Sequence, residues 1–303
     1  MRYVGSLITR IRERTDNLGF SEDSSGNITE GLSDNLILDF LNDAQDYLQS
    51  RIISVYPNIF TAEALLSMVA NQEAYSIDDN LFIGNKYISV HYSIDGQTRN
   101  YVRLPQKTIA ERMTTSALHP LFYFRLDGQF YFNPIPSAAG GKARIVYYRE
   151  LDNLDIRRGT ISSASGVSIV LANDTVLNNN ALGDAEYVCV VDKNGDVQDY
   201  NLEVSSYDSG TRTITLASSH TFVGGANDYV VLGQYASTHS DLPPNCERYL
   251  RVYAQKRVLN KDSSIDAVAE EAELQMMERE ILESFSEISQ DITEIPTLDY
   301  WVS

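Results

Sequence analysis

The run Asp192-Lys193-Asn194-Gly195-Asp196-Val197-Gln198-Asp199 places oxygen-bearing side chains at alternate positions, as a loop that wraps a calcium ion does. Its glycine stands two places early and no glutamate occupies the closing position, so a β-turn through Asn194-Gly195 is the better reading. The histidines, His91, His119, His220 and His239, are scattered without metal-ligand spacing and read as surface or packing residues. Asp78-Asp79 and Glu270-Glu271 could pair as acid and base, but acidic residues are common here and a solvated face explains them. Gly140-Gly141-Lys142 lacks the upstream glycine and following Ser or Thr of a phosphate loop, so it reads as a turn. The 19 tyrosines could stack on sugars, yet on alternating strands they serve more often as core or interface. No nucleophile, base or metal constellation emerges. The sequence therefore predicts no catalytic residue, no cofactor and no metal, and a hydrolase or sugar-binding enzyme is disfavoured.

One constellation does suggest a partner. After Pro296 the chain runs Thr297-Leu298-Asp299-Tyr300-Trp301-Val302-Ser303 and holds the only tryptophan. A terminal segment ordinarily frays. Large apolar groups packed this densely favour docking, and Trp and Tyr dominate such anchors. Ile295, Leu298, Tyr300, Trp301 and Val302 are the candidate docking residues.

Charge narrows the partners further. A formal net charge of −18 opposes any grip on a phosphate backbone, which needs clustered Lys and Arg. Cys189 and Cys246, read as lying in different units, show neither metal spacing nor a disulfide framework, which suits a reducing cytosol. The N-terminal stretch is charged throughout and nowhere do eighteen apolar residues run together, so neither a signal peptide nor a membrane span is expected.

The elements that must position these residues begin with Leu32 to Pro57. Ser33 or Asp34 can cap its start, and Pro57 ends it. Leu38, Leu41, Ala44, Leu48, Ile52 and Val55 draw one apolar stripe, with Asp39, Asn42, Asp46 and Gln49 off it. Such a helix is roughly 33 Å long and needs others alongside. Residues 3 to 17 offer one, with Val4, Leu7, Ile8 and Ile11 inward and Arg10, Arg12, Glu13 and Arg14 outward. Ser21 to Glu30 reads as a surface loop, and Phe60 to Val69 as a short apolar segment.

Hairpins are expected around Ser93-Ile94-Asp95-Gly96 and Asp127-Gly128, a third strand at Ala143 to Tyr148, and a helix over Gln106 to Leu118 on the spacing of Ile109, Ala110, Met113 and Ala117. From Thr160 to about Ala236, strands at Val167 to Leu171, Tyr187 to Val191, Tyr200 to Ser205, Thr213 to Leu216 and Tyr229 to Leu232 predict a compact all-β module with 9 acidic residues against 2 basic. Helix resumes over Pro244 to Leu259, then in a long acidic helix whose stripe includes Ile281, Phe285, Ile288 and Ile292, candidates for a contact between copies.

The expected fold class is α+β: a helical bundle with a small antiparallel hairpin sheet, over residues 1–159 plus 237–303, and an inserted all-β domain over 160–236. Without the insert, the remainder resembles the head-to-tail adaptor (connector or head-completion) proteins of tailed bacteriophages. Leu36-Ile37-Leu38-Asp39-Phe40-Leu41-Asn42-Asp43-Ala44-Gln45, Tyr56-Pro57-Asn58-Ile59-Phe60, Phe130-Tyr131-Phe132-Asn133-Pro134-Ile135-Pro136, Ile145 to Leu151 and Leu242-Pro243 carry the resemblance. It implies a structural virion protein of the neck, assembled in the host cytoplasm. Its copies, usually twelve, would ring the portal exit, with the genome passing through unbound and the tail tube, nozzle or fibre proteins attaching below. The family has no catalytic motif to transfer. A tail-fibre adaptor, with the β-module as the working end, is the alternative.

Overall fold

A computed structural model describes residues 2–15, 21–22, 28–30, 32–77, 82–97, 100–173, 185–222, 228–261 and 268–291. The chain divides into two compact units: Met1–Tyr56 with Leu151–Ser303, and Pro57–Glu150. The fold class is α+β, with four α-helices among the described residues, several small sheets and a closed barrel.

In the first unit, α1 (Val4–Arg14) buries Val4, Leu7, Ile8 and Ile11. Arg12, expected outside, is buried as well. Its guanidinium reaches Asp34 Oδ1 at 2.7 Å and the Leu32 carbonyl at 2.5 Å, so the charge is compensated where the next helix begins. The expected surface loop contains two short antiparallel strands, β1 (Ser21–Glu22) and β2 (Ile28–Glu30). The long helix α2 (Asp34–Val55) is capped by Ser33, whose Oγ accepts the Leu36 N–H at 3.1 Å. Leu38, Leu41, Ala44, Leu48 and Ile52 are buried, each Leu or Ile contributing about 1.5–3 kcal/mol, while Val55 at the end stays exposed. Gln49, placed off the stripe by its spacing, is buried too.

Among its described residues the second unit contains nine strands: β3 (Thr61–Ser67), β4 (Ala74–Tyr75), β5 (Phe82–Ser93), β6 (Val102–Arg103), β7 (Ser116–Ala117), β8 (Phe122–Leu126), β9 (Gln129–Asn133), β10 (Ile135–Pro136) and β11 (Lys142–Arg149). They form a four-stranded antiparallel sheet in the order β3-β11-β5-β6, a three-stranded sheet β4-β9-β8 and a small parallel pair β7-β10. Asp127 and Gly128 both take positive φ, 48° and 77°, as the two-residue turn joining β8 to β9 requires. Met68, Tyr75, Val90, Tyr92, Phe130, Phe132, Ile145 and Tyr147 belong to this unit's core.

The helix expected over Gln106 to Leu118 does not form; a single 3₁₀ turn, Ile109–Glu111, takes its place. Asn133 explains why. Its side chain accepts the Met113 N–H and donates to the Met113 carbonyl, both at 2.9 Å, taking the main-chain groups a helix would need. Ile109 and Met113, the supposed inward residues, are exposed. Phe60 to Val69, read only as an apolar segment, supplies strand β3.

The chain returns to the first unit through β12 (Asn153–Leu154). It then builds β13 (Gly159–Ser165), β14 (Ser168–Asn173), β15 (Tyr187–Val191), β16 (Val197–Asp208), β17 (Thr213–Leu216) and β18 (Tyr229–Leu232). These six close into a barrel in the order β13-β14-β17-β16-β15-β18. Ile161, Ile169, Leu171, Val188, Val190, Ile214, Leu216 and Val230 fill it. The chain leaves through β19 (Ala236–Ser237), parallel to β12. It finishes in α3 (Glu247–Lys261), which packs on α1 and α2, and α4 (Val268–Asp291), which packs on α2 and α3.

Candidate functional site

The sequence places its candidate contact residues at the end of α4 and in the tail. Ile281 and Phe285, expected between copies, are each 4% exposed within the protomer. The stripe a lone helix would leave open is covered here by helices of the same chain. Glu278 on the same helix accepts from Arg51 Nε at 2.6 Å and from the Tyr47 hydroxyl at 3.2 Å, both on α2. Ile288 lies within α4. Ile292, Ile295, Leu298, Tyr300, Trp301 and Val302 lie outside the described residues.

The residues with possible chemistry are occupied structurally. Asp192 Oδ1 accepts the N–H groups of Asn194 at 2.7 Å and Asp196 at 2.9 Å, closing the turn through Asn194-Gly195. Burial pushes the Asp192 carboxyl up, but these N–H groups more than offset it and hold the pKa below the usual carboxylate value. Among the described residues, no cluster of His, Cys, Asp and Glu could hold a metal ion. His119 stacks on Tyr92, His220 bonds the Phe222 carbonyl, and His239 bonds the Thr238 hydroxyl. Cys189 and Cys246 are free and buried, both in the first unit, and burial pushes their thiols up to about 11 and about 12.

The functional geometry is instead mechanical: it fixes the barrel to the helices. Arg158 and Asp155 form a buried pair, with Arg158 Nη2 2.6 Å from Asp155 Oδ1 and Nε 3.0 Å from Oδ2. The same guanidinium donates to Asn35 Oδ1 on α2 at 2.9 Å, while Asp155 Oδ2 accepts the Leu232 N–H of β18 at 2.7 Å. Burial raises the Asp155 pKa and Arg158 opposes that rise. Asn42 of α2 makes a reciprocal pair with Leu154, donating to its carbonyl at 3.1 Å and accepting its N–H at 2.7 Å. Gln45, a buried polar residue on the helix stripe, donates to the Asp152 carbonyl at 2.9 Å and accepts from Ser240 Oγ at 2.5 Å. Arg157 lies between two rings, 4.4 Å from the Tyr3 centroid and 4.1 Å from that of Tyr229, so α1 is tied to the barrel as well. Sequence reasoning missed this network. Its one visible trace was polar residues at helical positions where apolar ones would do.

Charge is unevenly divided. Residues 57–150 carry 9 Lys and Arg against 8 Asp and Glu, whereas the rest of the chain carries 15 against 34.

A comparison with curated proteins finds no match. A family model described as the SU10 adaptor protein matches residues 2–174, more than half of the chain, spanning α1, α2, all of the second unit and the first two barrel strands. The chain belongs to the SU10 adaptor protein family, a family of phage head-tail adaptors whose role is structural and not enzymatic.

Proposed function

We propose that this adaptor assembles into a ring of twelve copies between the portal and the tail, extending the conduit used in genome packaging and ejection. Family membership over residues 2–174 is the observation that carries this reading. The excess of acidic residues supports it, because a passage with that charge repels DNA instead of holding it. Ile295, Leu298, Tyr300, Trp301 and Val302 dock on the portal. Ile281 and Phe285 are covered within the protomer, so Ile288 of α4 and Ile292 beyond it make the contact with a neighbouring copy. Residues 160–236 act as an inserted module that meets the tail tube, nozzle or a tail-fibre protein, through side chains projecting from a closed acidic barrel.

Electron microscopy of the purified full chain, alone and mixed with portal, tests the reading. Rings or a stable portal complex are expected, and monomers that ignore portal overturn it. Deleting residues 160–236 tests the alternative of a tail-fibre adaptor. Portal attachment should survive the deletion; its loss from a still-folded helical unit would make the barrel the docking element.

A further inference from the structure

Among the described residues, the second unit's four-stranded sheet ends on β3, whose outer side no strand pairs, and on β6, whose outer side no strand pairs at Tyr101 and Arg103 but is taken at Pro105, where the carbonyl accepts the Tyr123 N–H of β8 at 3.1 Å. Ala62, Ala64 and Leu66 of β3 face Tyr147, Ile145 and Ala143 of β11 in antiparallel register. The flanking bonds, Met68 N–H to the Gly141 carbonyl at 2.8 Å and Arg149 N–H to the Phe60 carbonyl at 2.7 Å, fix which residues bond inward. By the alternation of an antiparallel ladder, those three point their main-chain groups at β11, while Thr61, Glu63, Leu65 and Ser67 point theirs outward. No strand among the described residues pairs with that side. Seven residues of open edge without proline or lysine form a template for another strand, and Leu65 on it is 60% exposed.

The opposite edge complements it. The Leu104 N–H bonds the Val90 carbonyl at 2.9 Å and Val102 pairs with Tyr92, so Arg103 and Tyr101 turn their main-chain groups outward. Val102 is 68% exposed. Glu63, Leu65, Arg144, His91 and Arg103 share one face of the sheet by register. Tyr101 lies on that face too, with the Arg144 guanidinium 4.8 Å from its ring centroid.

We infer that β3 of one copy pairs antiparallel with β6 of the next, continuing the sheet from copy to copy. The inference rests on the ring proposed above and names one of its contacts. Strand direction supports it: the four strands alternate, so a copy rotated about an axis along the strands presents its β3 antiparallel to β6. Such a head-to-tail contact joins two different surfaces, and it closes as a ring when the rotation from copy to copy divides a full turn. Charge sets the register. With Glu63 opposite Arg103, Leu65 falls opposite Tyr101, and both are positions whose N–H and C=O groups face outward on each strand. Ala64 then stands opposite Val102 in the closer, non-hydrogen-bonded spacing.

Two sets of variants of the full chain test this. The A64C/V102C pair, in assembled rings under mild oxidation, should give a ladder of covalent multimers on a non-reducing gel, while either single cysteine gives none. The two native cysteines are buried, so their background is low. Charge reversal by E63R should raise the concentration needed for ring assembly at least about tenfold, the effect of about 1.4 kcal/mol per contact, and R103E added to it should restore assembly. If the wild type forms rings while A64C/V102C rings do not cross-link and E63R assembles as the wild type does, the edge pairing alone is overturned. Wild-type chains that stay monomeric with portal overturn the ring itself, and the pairing with it.

Discussion

The barrel and the open sheet are both antiparallel, yet they treat their edges in opposite ways. In the closed order β13-β14-β17-β16-β15-β18 every strand has a neighbour on each side, so the barrel offers a partner its side chains more than its backbone. Among the described residues, no strand pairs with the outer side of β3 in the sheet β3-β11-β5-β6, so that strand can offer its backbone. Charge follows the same division, since nearly all of the acidic excess lies outside residues 57–150.

Arg158→Ala should have the largest effect. It strands Asp155 in the interior of the first unit, at a cost of about 3–5 kcal/mol. Amide exchange should quicken in the barrel strands while β8 and β9 keep their protection. Phe132→Ala, at a side chain with 0% exposure, should cost a similar 3–5 kcal/mol or so and show the reverse pattern. Equal loosening of both units by either variant would break the comparison. Asn42→Ala leaves both main-chain groups of Leu154 without their partner, and a loss of about 1–3 kcal/mol is expected by denaturant titration.

Alkaline pH should distinguish the units chemically, because both cysteines lie in the first. Their folded pKa values, about 11 and about 12, exceed the ordinary thiol value near 8.5. The stability this contributes is therefore complete below about pH 8.5 and is lost as pH rises through the folded values. At pH 8 iodoacetamide should label native Cys189 roughly two hundredfold, and native Cys246 roughly two thousandfold, more slowly than the denatured thiols, from thiolate fraction alone. The smallest effect is on the isolated E63R protomer, whose stability should fall by no more than about 1 kcal/mol, since Glu63 is exposed and loses only a surface ion pair with Arg144, 3.5 Å away.

Elements with local rules were legible in the sequence. Ser33 and the apolar stripe define α2, Asp127-Gly128 specifies its hairpin, and Tyr187–Val191, Thr213–Leu216 and Tyr229–Leu232 stand as strands where their alternation places them. Elements settled by distant partners were not. Gln106 to Leu118 has helical spacing, but Asn133, some twenty residues on, takes the Met113 backbone. Gly159–Ser165 is mostly small and polar, so its alternation is faint, and its place is set by β14 and β18. Barrel closure and the buried Arg158–Asp155 pair depend on register between strands far apart in the chain, which no local pattern encodes. The candidate contacts were only partly legible: helical period identifies the α4 stripe, but not that Ile281 and Phe285 are covered by their own chain.

The pairing of β12 with β19 sets the chain's departure from the helices and its return one strand spacing apart, about 5 Å. Seen from α2, the intervening polypeptide is defined by that gap and by the few side chains that clamp it. A foreign fold whose own ends meet at the same distance could be spliced in without re-routing the scaffold. A two-residue ladder thereby makes this part of the molecule a socket, open to exchange of whatever is plugged into it.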